Sequence, residues 1–576
     1  MSHRAKAKKD QSQTDLESPA NASRRAFLGT FSGVAGAAMA AGAIGLEPLI
    51  DTKSAVAHAS NDDSGERAEQ SFKIRLKAAR NERNVPTPLH TTNGDEALYP
   101  NRIGNFCKGL PHNGVGLVDP GAYQSLLNAL ASGEPEDFER ITMGGNVGLV
   151  NPQSGLAFDL EGTDSHQLAM GPPPAVASAE RAGEAVEDYW MALLRDVNFS
   201  RYDTDPLALQ ASDELSRLSD FRGPKVAGRV TPQTLFRGIY AGDLIGPYVS
   251  QFLLKTVEFG AVTVQQKFNT YLRLSNGGTD YMTDAASWLA VQTGAGPFGQ
   301  NRIDPTPRHI RNGRDLSAYV HIDVLFEAYL NACLWLIDNG APFNPGNPYG
   351  SNFLTSKSRT QVGFGTFGNP HVKALLAGVA TRALKAVWYQ KWFVHRTVRP
   401  EEFGGLVHFT RTGEANHPLH PDILNSRAVD LVFQRNGTHM MPHAFPEGCP
   451  QHPSYGQGHG TVAGACATIV KAFFDDTFVL SQITDIVQAS DDGLSLVPYT
   501  GSDAGQITVG GEMNKIAANV GIGRNHAAVH WRSDYADSLI LGEALAISIL
   551  RDQRATYNEQ FSGFTFTKFD GTRITV

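Results

Sequence analysis

The junction between an irregular loop and a helix of small residues constrains this chain more than any other stretch. The loop reads MPHAFPEGCP over residues 441–450 and HPSYGQGHG over 452–460, and its prolines and glycines exclude regular structure. The next run, TVAGACATIVKAFF, contains no proline and predicts a buried helix over 461–474. Unpaired N–H groups at the start of such a helix favour an anion. Gly458 leaves room for one, and His459 can titrate near neutral pH; an ordinary glycine-rich turn is the alternative.

A basic stretch upstream, QKWFVHRTVRPEEFGG, adds cations. The pattern predicts one helix that begins at Asn369 and is stopped by Pro400. On this helix Lys391, His395 and Arg399 would lie on one face over about 12 Å. Apolar residues surround most of the helix, and like charges on an enclosed face repel each other unless an anion binds them. A solvated stripe of charge is the alternative.

A third stretch, GRNHAAVHWRSD, supplies Arg524, His530 and Asp534. His530 and Asp534 are four residues apart, so on a helix the carboxylate would orient the imidazole, as it does for a metal-ligating histidine. A histidine that is satisfied within the core is the alternative.

Together the three stretches resemble the signature shared by the vanadium-dependent haloperoxidases and the related acid and lipid phosphatases. That signature is Lys and then Arg-Pro, Pro-Ser-Gly-His, and an Arg, five residues, a His, three residues and an Asp. The matching positions are Lys391, Arg399-Pro400, GQGH at 456–459, Arg524, His530 and Asp534. Seven residues separate Lys391 from Arg399, as in the algal bromoperoxidases, whereas the phosphatases have one fewer.

The resemblance to the red-algal vanadium bromoperoxidases covers roughly residues 70–576. The other similar strings are NPQSGLAFDLEG (151–162), YWMALLRDVNFSRY (189–202), PQTLFRGIYAGDLIGPYVSQFLL (232–254), NGRDLSAYVHIDVLFEAYLNACLWL (312–336) and the run over 444–474. It implies peroxide-dependent oxidation of bromide, and of iodide, to hypohalous acid that halogenates small organic acceptors.

The same resemblance implies one vanadate in each subunit. The implied vanadate-binding positions are Lys391, Arg399, Gln457, Gly458, His459, Arg524 and His530. His530 would be the metal ligand through Nε2, His459 the acid–base group, and Lys391 would polarise the bound peroxide. His452, Asp534 and His395 would support these positions or the halide. His452 matches a histidine of the algal enzymes and favours bromide over chloride; bracing the loop is its alternative role.

Gln457 departs from the family, because it stands where a serine would donate to a vanadate oxygen. The longer amide donates from a different place, so Gln457→Ser is expected to raise bromination. Two other functions stay open: an acid phosphatase with His530 as the nucleophile and His459 as the general acid, or an oxyanion-binding protein with weak activity. The family also implies a homo-oligomer, from dimer up to dodecamer, and allows for a structural calcium ion, for which the sequence shows no ligand pattern.

The chain of 576 residues is 41% apolar, and its helical patches predict a mainly α fold with two four-helix-bundle-like halves. A small hairpin with an Asp-Gly turn is predicted over 561–576. The predicted organisation is a leader over 1–59, an N-terminal arm over 60–110, and an all-helical haloperoxidase domain over 111–576. The active site would come from 391–534.

The leader resembles a twin-arginine export signal, with Arg24-Arg25 before an apolar run; a disordered tail is the alternative. We therefore expect a periplasmic or extracellular protein without stable membrane insertion. The net charge of -8 argues against nucleic-acid binding. Of the four cysteines, Cys107 and Cys449 lie in predicted loops and could pair, although three pairings are open.

Overall fold

The computed structural model describes residues 64–272, 280–350 and 357–576. Within the described residues, contacts divide the chain after Lys77, and Ala78–Val576 forms one compact unit. The predicted leader over 1–59 lies outside the described residues, so the twin-arginine signal stays a prediction.

The described part is mainly helical, as predicted. In chain order its α-helices are α1 (Ser64–Arg83), α2 (Asp95–Leu98), α3 (Pro120–Ser132), α4 (Pro135–Phe138), α5 (Ala179–Leu194), α6 (Pro206–Arg217), α7 (Ala285–Gln292), α8 (Gly313–Ile322), α9 (Glu327–Asp338), α10 (Asn369–Tyr389), α11 (Pro400–Thr412), α12 (Pro421–Leu424), α13 (Arg427–Asn436), α14 (Gly458–Phe473), α15 (Val509–His526) and α16 (Arg532–Arg554).

Shorter elements lie between them. The 3-10 turns are Pro152–Leu156, Ser165–Gln167, Phe199–Arg201, Gln251–Leu253, Leu480–Gln482 and Ala504–Gln506, and Gln390–His395 is a π-turn. The strands are β1 (Val257–Phe259), β2 (Val262–Val264), β3 (Val487–Ala489), β4 (Leu496–Pro498), β5 (Thr565–Thr567) and β6 (Arg573–Thr575). They pair as antiparallel hairpins, β1 with β2, β3 with β4, and β5 with β6.

Helix α14 is the centre of a four-helix bundle with α10, α15 and α16. The small residues of α14 let the backbone of α16 approach closely: a Cβ on Gly464 would lie 2.1 Å from the carbonyl oxygen of Leu539. Almost every residue of α14 is consequently buried. This confirms the buried helix that was predicted after the loop.

Helices from the first half of the chain pack onto this bundle. Helix α5 packs against α6, α12, α13 and α15, and α8 packs against α15. Buried side chains from Ile103 to Phe569 form one continuous apolar cluster. Residues 103–110, which were assigned to the predicted arm, belong to this core because Ile103, Phe106 and Leu110 are buried in it.

The prediction of one helix up to Pro400 is wrong. Helix α10 ends at Tyr389, the π-turn follows, and Arg396 adopts a left-handed conformation with φ of 41°. Arg399 is the N-cap of α11, and Pro400 begins that helix, where its fixed φ is favourable. Lys391, His395 and Arg399 therefore do not share one helical face.

The C-terminal hairpin is confirmed, with Phe566 opposite Ile574 and Gly571 in the turn at φ of 83°. The two other hairpins were not predicted, since three-residue strands are too short to show alternation in the sequence.

All four cysteines are buried and free in the described structure. Within the described residues no single helix is long and apolar enough to cross a membrane, whereas α8 and α9, bent by 99°, reach that length and hydropathy together.

Candidate active site

A cavity of about 460 Å³ lies at the N-terminus of α14. Residues predicted from separate stretches of the chain meet in its wall: His452, Gly458, His459, Arg524 and His530. The rest of the wall is largely apolar and includes Leu384, Trp388 and Phe445. His459 and Arg524 project from helices α14 and α15. His452 and His530 lie in the loops before α14 and α16, so both the bundle and its loops supply polar groups.

His530 is held by Asp534, as predicted, although the two residues are not on one helix. His530 precedes α16, and Asp534 lies in the first turn of α16, where Oδ2 accepts from the Trp531 amide at 3.0 Å. His530 Nδ1 lies 2.7 Å from the same Oδ2. Because a carboxylate accepts hydrogen bonds only, Nδ1 carries the proton and Nε2 is the unprotonated nitrogen.

Arg399 faces that nitrogen. Its Nη1 lies 3.0 Å from His530 Nε2 and donates to the Val529 carbonyl, while Nε donates to the His452 carbonyl at 2.8 Å. The guanidinium is fully buried, and burial lowers its pKa. Arg399 thus holds two loops together and directs charge at the imidazole.

Lys391 lies next to this group, also fully buried. Its Nζ donates to the carbonyl oxygens of Pro453 at 2.7 Å and Ser454 at 2.9 Å. An ammonium has three N–H donors, so one donor is left over. Burial first, and then the charge of Arg399, hold the pKa of Lys391 well below its ordinary value.

Arg524 completes the set of cations. Its Nη1 donates to the Val320 carbonyl at 2.7 Å, its guanidinium lies 5.5 Å from the Phe445 ring centroid, and its buried Nε has no hydrogen-bond partner among the described residues. Burial, followed by the charge of Arg399, lowers the pKa of Arg524 to about 10.

These cations surround one imidazole. Burial, then the positive charges of Arg399, Lys391 and Arg524, lower the pKa of His530 well below its usual range, so the ring is neutral at neutral pH. The nearest buried carboxylate, Asp534, is already bonded to Trp531, to His530 and, through a short bond, to Ser454 Oγ. Unpaired donors around a neutral nitrogen ligand fit a tetrahedral oxyanion whose central metal accepts that nitrogen.

His459 projects into the cavity from the first turn of α14, as predicted. Its Nε2 lies 2.9 Å from Asp323 Oδ1, a partner that the sequence did not reveal because it lies just after α8, far away in the chain. An imidazole with a carboxylate partner can hold and release a proton. The amides in the first turn of α14 have no intrahelical acceptor and add anion-binding donors.

His452 is bonded to Arg399, whose Nη2 donates to its Nδ1 at 2.8 Å. Nε2 therefore carries the proton, and the ring packs on Trp388 with centroids 4.7 Å apart. Burial, with Lys391 and Arg399 nearby, lowers the pKa of His452 well below its usual range. The residue braces the loop and also lines the cavity as a neutral donor.

Gln457 and His395 do not line the cavity. Gln457 is the N-cap of α14, and its side-chain amide donates to the Gly521 carbonyl at 3.1 Å. His395 ends the π-turn, packs edge-on against Tyr455 with centroids 4.9 Å apart, and neither ring nitrogen has a partner in the described structure. Their roles at a bound anion stay predictions.

No group of three or more His, Cys, Asp or Glu side chains arranged to hold a metal ion occurs in residues 64–272, 280–350 and 357–576. The cavity wall contains His530 and Arg524, whereas Lys391 and Arg399 are not in the wall and lie next to His530.

No protein-family model matches the chain, but individual proteins do. The chain is 37% identical over 606 residues to a vanadium-dependent bromoperoxidase of Corallina pilulifera, covering 89% of this chain and 99% of the relative. It is 34% identical over 531 residues to one of Ascophyllum nodosum, covering 88% and 92%. Among solved structures it is similar to the homohexameric second vanadate-dependent bromoperoxidase of Ascophyllum nodosum, with a TM-score of 0.83 and 32% identity over 92% of this chain and 94% of that one.

Proposed function

Because the chain belongs to the vanadium-dependent bromoperoxidase family, we propose that its cavity holds vanadate and uses hydrogen peroxide to oxidise bromide, and iodide, to hypohalous acid. The observation that carries this proposal is the group of three buried cations around His530, whose Nε2 lone pair accepts from Arg399 Nη1. A buried cluster of like charges is costly unless an anion joins it.

His530 would bind the metal of vanadate, and Lys391, Arg399 and Arg524 would bind its oxygens. Vanadate, when bound, supplies a Lewis acid that activates peroxide toward a halide without a change of oxidation state. Asp534 keeps the proton of His530 on Nδ1, so the nitrogen that faces the cavity stays a ligand. His459, paired with Asp323 in the cavity wall, would act as the acid–base group for an oxygen of the bound anion.

The test is a titration of the vanadate-free protein with vanadate in the presence of bromide and peroxide. Bromination of a reporter dye is expected only after vanadate is added, to saturate, and to be lost when phosphate competes. The same titration should stabilise the fold, by about 2.7 kcal/mol when vanadate is at 100 times its Kd. Bromination that is independent of vanadate would contradict the proposal.

A phosphatase activity is the second candidate, because the same cations suit a phosphate and His530 Nε2, unprotonated beside Arg399, could act as the nucleophile. Release of phosphate from an aryl phosphate ester distinguishes it from the peroxidase. Ester hydrolysis without any vanadate-dependent bromination would favour the phosphatase, and vanadate binding without either activity would indicate an oxyanion-binding protein.

Gln457→Ser is expected to raise vanadate affinity and bromination, because a hydroxyl at the N-cap is close to the first-turn amides that would face the anion. The Gly521 carbonyl loses its donor, so the free energy of unfolding should fall by about 1 kcal/mol. Gln457→Asn, which keeps an amide, is the matched control. Unchanged or lower bromination in the serine variant would identify Gln457 as an adapted residue of this chain.

The leader supports export of the folded chain by the twin-arginine route to the periplasm or beyond.

The homohexameric relative supports a homo-oligomer. Small organic acceptors would react with the hypohalous acid, and a structural calcium ion is an additional proposal from the family alone. Size-exclusion chromatography with light scattering tests the oligomer, and metal analysis of the purified protein tests calcium.

A further inference from the structure

A second imidazole–carboxylate pair lines the cavity. His321 Nε2 lies 2.5 Å from Glu447 Oε1, and both residues are in the cavity wall with Arg524 and His530. The other nitrogen, Nδ1, forms a short hydrogen bond with the hydroxyl of Tyr271. Neither His321 nor Glu447 is among the residues that are proposed to bind vanadate.

The pair is fixed in position and open to water. The His321 ring stacks on Phe445 with centroids 3.7 Å apart and planes at 12°. The guanidinium of Arg524 lies over the same Phe445 ring in a cation–π contact. The side chain of His321 is 21% exposed and that of Glu447 is 37% exposed. The pair is therefore in contact with solvent and also lines the cavity.

Tyr271 determines which ring nitrogen of His321 bears the proton. Burial raises the pKa of Tyr271 well above its ordinary value, so its hydroxyl stays a donor and His321 Nδ1 accepts. The proton of neutral His321 then lies on Nε2, toward Glu447. Although burial opposes it, the bond to His321 lowers the pKa of Glu447, which keeps this carboxylate charged as the acceptor.

Other charges face the pair from the surrounding elements. Lys108 Nζ donates to the Glu447 backbone carbonyl at 2.7 Å, and Arg524 lies behind Phe445 as described. Asp323, which follows α8, is paired with His459. The cations keep Glu447 ionised, and Asp323 is already occupied by another imidazole.

Oxidation of bromide consumes a proton: H₂O₂ + Br⁻ + H⁺ gives HOBr + H₂O. The O–O bond breaks, an O–Br bond forms as bromide gives up two electrons, and the departing oxygen needs the proton to leave as water. We propose that His321 and Glu447 take this proton from solvent and deliver it into the cavity, with Tyr271 as a positioning residue. This inference rests on the proposed peroxidase function and adds a proton donor to it.

The experiment compares the vanadate-saturated holoenzyme with its His321→Gln, Glu447→Gln and Tyr271→Phe variants over pH 5 to 9. For His321→Gln, kcat should fall about 10²-fold on the alkaline side and only a few-fold at acid pH, where solvent protons are abundant. KM for bromide and for peroxide should change less than about two-fold, since neither substrate binding nor the anion site is altered. Added imidazole should restore part of kcat in a His321→Ala variant.

The control is His417→Gln, because His417 is a histidine that lies outside the cavity; its pH profile should match the wild type. Vanadate-induced thermal stabilisation shows that each variant is folded and loaded. An unchanged pH profile in His321→Gln, or the same loss of kcat at every pH, overturns the proton-donor role. A rise confined to the KM for bromide also overturns it, in favour of a halide site. Absence of bromination in the wild type would instead contradict the proposed peroxidase function.

Discussion

The His530→Ala variant is expected to lose vanadate-dependent bromination by at least about 10²-fold, because the loss of a mere orienting partner of a metal ligand already costs about 10–100-fold in affinity. The substitution removes the nitrogen that Asp534 holds with its lone pair toward the cavity. Arg399 keeps its bonds to the Val529 and His452 carbonyls, so the loops should stay in place. The readouts are the rate of bromination and the vanadate-induced rise in Tm.

Two further variants separate the ligand from its surroundings. Asp534→Asn leaves His530 in the cavity but removes the charge that fixes its tautomer, so vanadate affinity should fall by about 10–100-fold. His417→Ala, at a buried histidine outside the cavity, should retain full activity. Retention of vanadate-dependent activity in His530→Ala would rule out this residue as the ligand.

The contact between His530 and Asp534 could be predicted from the sequence, but the predicted geometry, with both residues on one helix, was wrong. A spacing of four residues predicts contact on a helix. In the structure α16 begins at Arg532, and the contact forms because Asp534 reaches back from the first helical turn to the Trp531 amide and the imidazole. A carboxylate at that position caps the helix and orients the ligand at once.

The cations show where sequence reasoning failed. Lys391 and Arg399 were predicted on one helix, whereas a π-turn and a left-handed Arg396 separate them. Local periodicity cannot reveal such a break, because apolar residues continue on both sides of it. Both side chains are nevertheless buried beside His530, brought there by carbonyls of the loop before α14. Asp323 was missed because no local pattern links it to His459.

Arg524→Met is expected to lower vanadate affinity by about 10–100-fold, since one charge-assisted hydrogen bond contributes about 1.5–3 kcal/mol. Arg524 is suited to this test because only one bond in the described structure, to the Val320 carbonyl, would be broken. Leaving that carbonyl unpaired costs about 1–3 kcal/mol. Burial and then the charge of Arg399 lower the pKa of Arg524 to about 10. Removing this costly buried charge offsets the loss, so the vanadate-free protein should lose little stability.

The vanadate-induced rise in Tm provides the measurement, and a 100-fold weaker Kd removes about 2.7 kcal/mol of stabilisation at a fixed, saturating vanadate concentration. Arg524→Lys should fall between wild type and Arg524→Met, because lysine keeps the charge but not the planar fork of donors. Arg237→Met is the matched control: Arg237 donates to the Gly246 and Pro247 carbonyls away from the cavity, so this variant should lose stability yet bind vanadate normally. If Arg524→Met bound vanadate as tightly as the wild type, Arg524 would not be a vanadate-binding residue. Lys391 and Arg399 would then be the cations left to bind the anion.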